Sequence, residues 1–263
     1  KARKMYRNNS YRSPNTKTRG WIAVVAVLLI LVAIIIGGFL IVQNKSKDGS
    51  EPTKPTEQAN GFDKNRFSLS DPTSPWLVVN KQRPLSPKEY EPADLRTPNM
   101  SVESAEMRVN GQTAAALEAL DAAAKQAGIN LIVASAYRSY DDQVRTYQSM
   151  VNGYGQTEAD RQSARPGHSE HQTGWAVDLG AANDTSCRLE VCFANTSEGK
   201  WLAANAYKYG FIIRYPEGKE HITGYSYEPW HLRYVGTELA EEMHRTGTAT
   251  LEEFFNLPAA PTY

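Results

Sequence analysis

The spacing of hydrophobic positions changes several times along the C-terminal three-quarters of the chain. The Ala- and Leu-rich stretch 113–127 places Leu117 and Leu120 on one helical face before Gly128, which predicts a helix. Short β-branched or apolar runs predict buried strands. The predicted helices cover 113–127, 141–151, 198–209 and 237–245, and the predicted strands lie at 130–136, at 175–179, after Gly210 and within 225–235. Mixed helices and strands without a strict βαβ repeat predict an α+β fold with a mostly antiparallel central sheet flanked by helices.

A different pattern occupies the N-terminal part. Residues 21–42 form an uncharged apolar run, and a bilayer core of about 30 Å requires roughly 20 such residues in a helix. Residues 1–20 carry seven basic side chains and no acidic one. The positive-inside rule then predicts one transmembrane helix at 21–42, with the basic tail in the cytoplasm and the rest outside the cell membrane. A long cleaved signal peptide is the alternative, and it also exports the remainder.

Composition divides the rest of the chain. Residues 43–66 are polar and lack an apolar period, which predicts a flexible linker before an exported domain at 67–263. The chain has no net formal charge, so the formal charges of residues 21–263 sum to −7. This part of the chain is net acidic and lacks a basic patch with aromatic residues, so nothing in it indicates nucleic-acid binding.

Four residues separate Cys187 from Cys192. In an exported domain this spacing predicts a small disulfide loop, with two free thiols as the alternative.

Two polar clusters carry candidate chemistry. The first, GHSEHQTGWAVDLG at 167–180, contains His171 and Asp178, whose nitrogen and oxygen atoms are common Zn²⁺ ligands. Their odd separation would put them on opposite faces of one strand, but a turn at Thr173 and Gly174 would let them converge. A polar loop with ordinary hydrogen bonds is the alternative.

The second cluster is EPWHLRY at 228–234. Pro229 excludes a helical H-E-x-x-H arrangement, so a loop entering a strand is predicted. His231 is the candidate third ligand, and Glu228 is the candidate general base for a zinc-activated water. Taken alone, an exposed glutamate and a half-buried histidine would be unremarkable.

The pattern S-x-H-x-x-G-x-A-x-D at 169–178, followed by Glu228-Pro-Trp-His231, resembles the signature of the VanY-type D-alanyl-D-alanine carboxypeptidases. The related L,D-carboxypeptidases and D,D-dipeptidases belong to the same metallopeptidase family. The resemblance extends to SAYRSYDDQ at 135–143 and VVNKQRPLSPKEYEPADL at 78–95. It implies a D,D-peptidase/hedgehog-like fold and an enzyme that removes C-terminal D-alanine from peptidoglycan stem peptides, with D,D- or L,D-specificity left open.

Residue roles follow from the same resemblance. It implies Zn²⁺ held by His171, Asp178 and His231, with Glu228 as the base. It also implies that Arg138 enters the site to bind a substrate carboxylate or a carbonyl oxygen that gains charge. Gln143 and Ser169 match positions that line the substrate cleft. His168 is expected to be structural or to lie behind the ligands, and Trp230 to pack beside the metal.

Two other functions compete with this interpretation. Ser197-Glu-Gly-Lys200 matches the S-x-x-K motif of serine D,D-peptidases, although no S-D-N-like element accompanies it. A non-catalytic wall-binding module could retain zinc as a structural ion, but such a site usually fills four positions with protein ligands and requires no base.

Overall fold

The computed structural model describes residues 61–263. The predicted basic tail, transmembrane helix and most of the predicted linker lie outside the described residues. Among residues 61–263, no helix combines the length and apolar character that crossing a membrane requires. Within residues 61–66, predicted as linker, Phe62 packs on the domain: its ring stacks on Trp76 with ring centroids 5.2 Å apart.

Helices and strands are mixed along the described chain. The strands are β1 (Leu95–Arg96), β2 (Val109–Asn110), β3 (Leu131–Ser135), β4 (Ala176–Ala181), β5 (Phe211–Ile213) and β6 (His231–Tyr234). The α-helices are α1 (Gly111–Gln126), α2 (Tyr140–Tyr154), α3 (Gln156–Gln162), α4 (Ser197–Asn205), α5 (Glu220–Thr223), α6 (Thr237–Thr246) and α7 (Leu251–Phe254). Short 3₁₀ helices cover Glu170–Thr173, Val191–Asn195 and Ala206–Tyr209.

The central sheet has four strands in the order β3-β4-β6-β5, and every neighbouring pair is antiparallel. This confirms the predicted α+β class and antiparallel sheet. The predicted helix 198–209 is divided, because α4 ends at Asn205 and a 3₁₀ turn continues to Tyr209. The strand predicted within 225–235 is shorter than that interval, since pairing begins only at His231.

The sheet separates the hydrophobic core from the polar site. On one face, Val177 and Leu179 of β4 and Leu232 of β6 are fully buried against α1, which contributes Leu117 and Leu120. Side chains alternate between the two faces of a strand. Asp178, His231 and Arg233 therefore share the opposite face, and the apolar packing holds the strands that carry them.

Candidate active site

Asp178 and His231 lie directly opposite each other on β4 and β6. Opposed residues on one face of an antiparallel pair have Cβ atoms about 4.5–5.5 Å apart. The pairing brings Asp178 Oδ1 to 3.2 Å from His231 Nδ1. The register of β4 against β6, which the buried core residues of these strands fix, therefore brings together two side chains that are far apart in sequence.

His171 reaches the same point from the 3₁₀ turn that precedes β4. The turn ends at Gly174, whose φ of 70° is left-handed and where an added Cβ would lie 2.8 Å from a backbone nitrogen. The turn brings His171 Nε2 to 3.3 Å from Asp178 Oδ2. His171 Nδ1 donates to the carbonyl oxygen of Ala136 at 2.8 Å, which leaves Nε2 free to bind a metal.

The geometry fits a zinc ion. His171, Asp178 and His231 each offer one ligand atom, and these atoms lie within 4.8 Å of one another. Tetrahedral bonds of about 2.1 Å would separate ligand atoms by about 3.4 Å. The Asp178 carboxylate approaches the two histidines at similar distances, 3.3 Å from Oδ2 to His171 and 3.2 Å from Oδ1 to His231. Asp178 Oδ1 is buried, and among the described residues no partner forms an acceptable hydrogen bond with it. These residues are thus a suitable ligand set that leaves one tetrahedral position for water or substrate.

Glu170 positions the third ligand and was not identified from the sequence. Its Oε2 lies 3.3 Å from His231 Nε2, so this nitrogen donates and Nδ1 is left for the metal. Its Oε1 accepts from Arg214 Nε at 2.8 Å and Arg233 Nη1 at 2.7 Å. Arg214 in turn forms a bidentate pair with Glu252. The only sequence signal for this buried network is an arginine in each of the apolar runs FIIRY and HLRY.

Electrostatics at the ligands reflect burial and close pairing. Burial lowers the pKa of His231, but the nearby carboxylates of Asp178 and Glu170 outweigh it and raise the pKa to about 10. Burial would raise the pKa of Asp178, yet His171 and His231 hold it well below its usual range. These contacts favour the doubly protonated ring of His231 in the metal-free arrangement, and zinc binding at Nδ1 requires loss of the proton on that nitrogen.

Glu228 lies beside the ligands. Its Oε2 is 3.4 Å from His231 Nδ1, and its backbone is held by a hydrogen bond from its N–H to the carbonyl of Tyr215 at 3.0 Å. Burial raises the pKa of Glu228 to about 8, a shift that Asp178 adds to and His231 opposes. A carboxylate with such a pKa can accept a proton and return it near neutral pH.

Arg138 lines the same cleft, as does Ser169. Arg138 Nη1 donates to Gln143 Oε1 at 2.8 Å, and Gln143 Nε2 donates to the carbonyl of Ala164 at 2.6 Å. Gln143 is fully buried and does not belong to the cleft lining. The structure therefore places Gln143 behind Arg138, where it orients the guanidinium.

The remaining sequence candidates have other surroundings. His168 Nδ1 contacts the carbonyl of Asn80 at 2.8 Å, and its ring packs edge-on against Tyr263, away from the ligand group. Trp230 lines the cleft and also packs against the core. Ser197 and Lys200 are exposed and lie outside the cleft lining, which disfavours the serine-peptidase alternative.

The predicted disulfide between Cys187 and Cys192 is present. The short loop that it closes borders the cleft, since Leu189, Glu190 and Val191 are among the lining residues. The sequence predicted the disulfide but gave no indication that its loop would reach the active site.

Comparison with known proteins agrees with this geometry. The family model "VanY: D-alanyl-D-alanine carboxypeptidase" matches residues 106–237. The carboxypeptidase-like protein YodJ of Bacillus subtilis (strain 168) is 43% identical over 192 residues, which cover 72% of this chain and 69% of YodJ. The structure of the LdcB LD-carboxypeptidase aligns with a TM-score of 0.65 and 43% identity, covering 70% of this chain and 87% of LdcB.

A second solved structure bears on the metal. A mutant of the vancomycin resistance D,D-pentapeptidase VanY, in complex with Zn(II), aligns with a TM-score of 0.59 and 34% identity. The alignment covers 68% of this chain and 98% of that one. With this ligand set and these relatives, the chain belongs to the VanY family of D-alanyl-D-alanine carboxypeptidases and is a zinc metallo-carboxypeptidase.

Proposed function

We propose that this enzyme hydrolyses the last peptide bond of peptidoglycan stem peptides and releases the C-terminal D-alanine. The observation that carries the proposal is the convergence of three metal ligands, a largely buried carboxylate and a guanidinium in one open cleft. Zinc, when bound, supplies a Lewis acid that polarises a carbonyl oxygen and lowers the pKa of water.

The protein's own residues account for binding and proton transfer. Glu228 accepts a proton from the attacking water and returns it to the leaving amine. Arg138, held by Gln143, has N–H groups left for the substrate's terminal carboxylate or for the carbonyl oxygen as it gains charge. A carboxypeptidase needs a group of this kind to recognise the end of a chain.

The test is release of D-alanine by the full chain, purified in detergent, from a tetrapeptide and a pentapeptide stem. We expect release from at least one of them, loss of release with a zinc chelator, and recovery when zinc is restored. The ratio of kcat/KM for the two peptides assigns L,D- or D,D-specificity. A β-lactam should leave the rate unchanged, because Ser197 lies outside the cleft. No release from either peptide by the zinc-loaded protein would support the non-catalytic wall-binding alternative.

We also propose that residues 21–42 anchor the enzyme in the cell membrane, with the catalytic domain outside. The support is the length of the uncharged run and the seven basic residues before it. Cell fractionation should recover the full chain with membranes, and protease added to intact spheroplasts should digest the domain. Recovery of a shorter, released form would instead indicate a cleaved signal peptide.

A further inference from the structure

We propose that the disulfide loop 187–192 is a binding surface for a substrate residue upstream of the cleaved bond, and that it selects a side chain with an aliphatic stem and a terminal ammonium group. This inference rests on the proposed function and assigns part of its substrate specificity. The three loop residues that border the cleft are Leu189, Glu190 and Val191.

The loop is fixed at both ends, so its middle is presented in a defined way. Arg188 Nη2 donates to the carbonyl of Ala181 at 2.9 Å and its other terminal nitrogen pairs with Glu103. At the far end, Phe193 is buried in the core and its N–H donates to the carbonyl of Glu190 at 2.9 Å. A pre-ordered loop loses little conformational entropy when a ligand binds.

The side chains at the middle of the loop are exposed although two are apolar. Leu189 is 38% exposed and Val191 is 53% exposed. Leu189 also has a φ of 57°, a left-handed conformation that costs free energy for a non-glycine residue and is often found at ligand sites. Two exposed aliphatic side chains at the edge of a cleft can bury the methylene stem of a long side chain.

The charge of Glu190 accounts for the proposed selection of an ammonium group. Of the carboxylates that line the cleft, Asp178 is a metal ligand and Glu170 and Glu228 lie beside His231, whereas Glu190 lies on the loop. Glu190 is exposed, and Arg188, the basic side chain of the loop, is already paired with Glu103. A carboxylate between two apolar side chains matches an aliphatic chain that ends in an ammonium group, the chemistry of a diamino acid.

The experiment compares two stem peptides that differ at the diamino acid: lysine in one, Nε-acetyl-lysine in the other. Acetylation keeps the stem and removes the charge. For the full chain we expect kcat/KM to be about threefold to fivefold higher with lysine, the size typical of an exposed ion pair. In Glu190→Gln this ratio should fall to about one, whereas the control Glu106→Gln, exposed and outside the cleft lining, should retain it. Leu189→Ser should raise KM about threefold for both peptides.

Equal kcat/KM for the two peptides in the unmodified chain, or an unchanged ratio in Glu190→Gln, would overturn the assignment. Either outcome would leave the proposed function standing, because D-alanine would still be released. Absence of D-alanine release from both peptides would instead remove the proposed function, and this assignment with it.

Discussion

Glu228→Gln is expected to lower kcat by about 10²- to 10⁴-fold, the range that a positioned general base contributes. Glutamine keeps the size of the side chain but cannot accept a proton from water. Glu228 is not one of the three clustered metal ligands, so zinc should remain bound. The measurement pairs the rate of D-alanine release with the zinc content of the purified variant.

Two comparisons make this result decisive. Glu217→Gln changes an exposed carboxylate outside the cleft lining and should keep both rate and zinc. If Glu228→Gln retained full activity, Glu228 would have no part in proton transfer. If it lost zinc together with activity, Glu228 would be acting as a ligand.

The ligand set could be read from the sequence because each ligand lies in a short and specific pattern. The turn at Gly174 resolves the odd spacing of His171 and Asp178 as predicted, since the chain reverses before β4 begins. The contact between Asp178 and His231 is different. It depends on the register of β4 against β6, and strand register cannot be read directly from a single sequence.

Local signals also explain which elements were predicted. Helix α1 was found because its apolar positions repeat at helical spacing and Gly128 follows it. Short elements such as α7 and the paired β1 and β2 were missed, because two to four residues contain too little periodicity. Residues 61–66 were assigned to the linker since their polar composition conceals Phe62, which finds its partner Trp76 only in the folded domain.

Glu170 was missed for a related reason: its partners Arg214 and Arg233, and Glu252 on the far side of Arg214, come from three separate segments. Each of these four side chains would be costly to bury alone, and together they form a paired network behind His231. The function of such a residue is visible only when its neighbours are known.

Glu170→Gln is therefore expected to have two separable effects. Loss of the negative charge leaves Arg214 and Arg233 with less compensation in a fully buried position, which should lower the free energy of unfolding by about 3–5 kcal/mol. Loss of the carboxylate behind His231 should weaken zinc binding by about 10- to 100-fold. Denaturant unfolding of the zinc-free protein measures the first effect, and zinc titration measures the second.

The pH dependence of stability provides a further check on the same variant. Burial would raise the pKa of Glu170, but Arg233 and Arg214 outweigh it and hold the pKa below its ordinary value. A lowered folded-state pKa means that the stabilisation is complete above the unfolded pKa of about 4.3 and is lost as pH falls below it. The decline in stability under acid conditions should accordingly be shallower in Glu170→Gln.

Glu252→Gln separates positioning of the ligand from stability of the fold. Glu252 is as buried as Glu170 and pairs with the same Arg214, but it makes no contact with His231 among the described residues. It should destabilise the protein while leaving zinc affinity close to normal. Equal losses of zinc affinity in the two variants would mean that the network acts only through stability. A specific loss in Glu170→Gln would show that this carboxylate fixes the ring nitrogen that the metal requires.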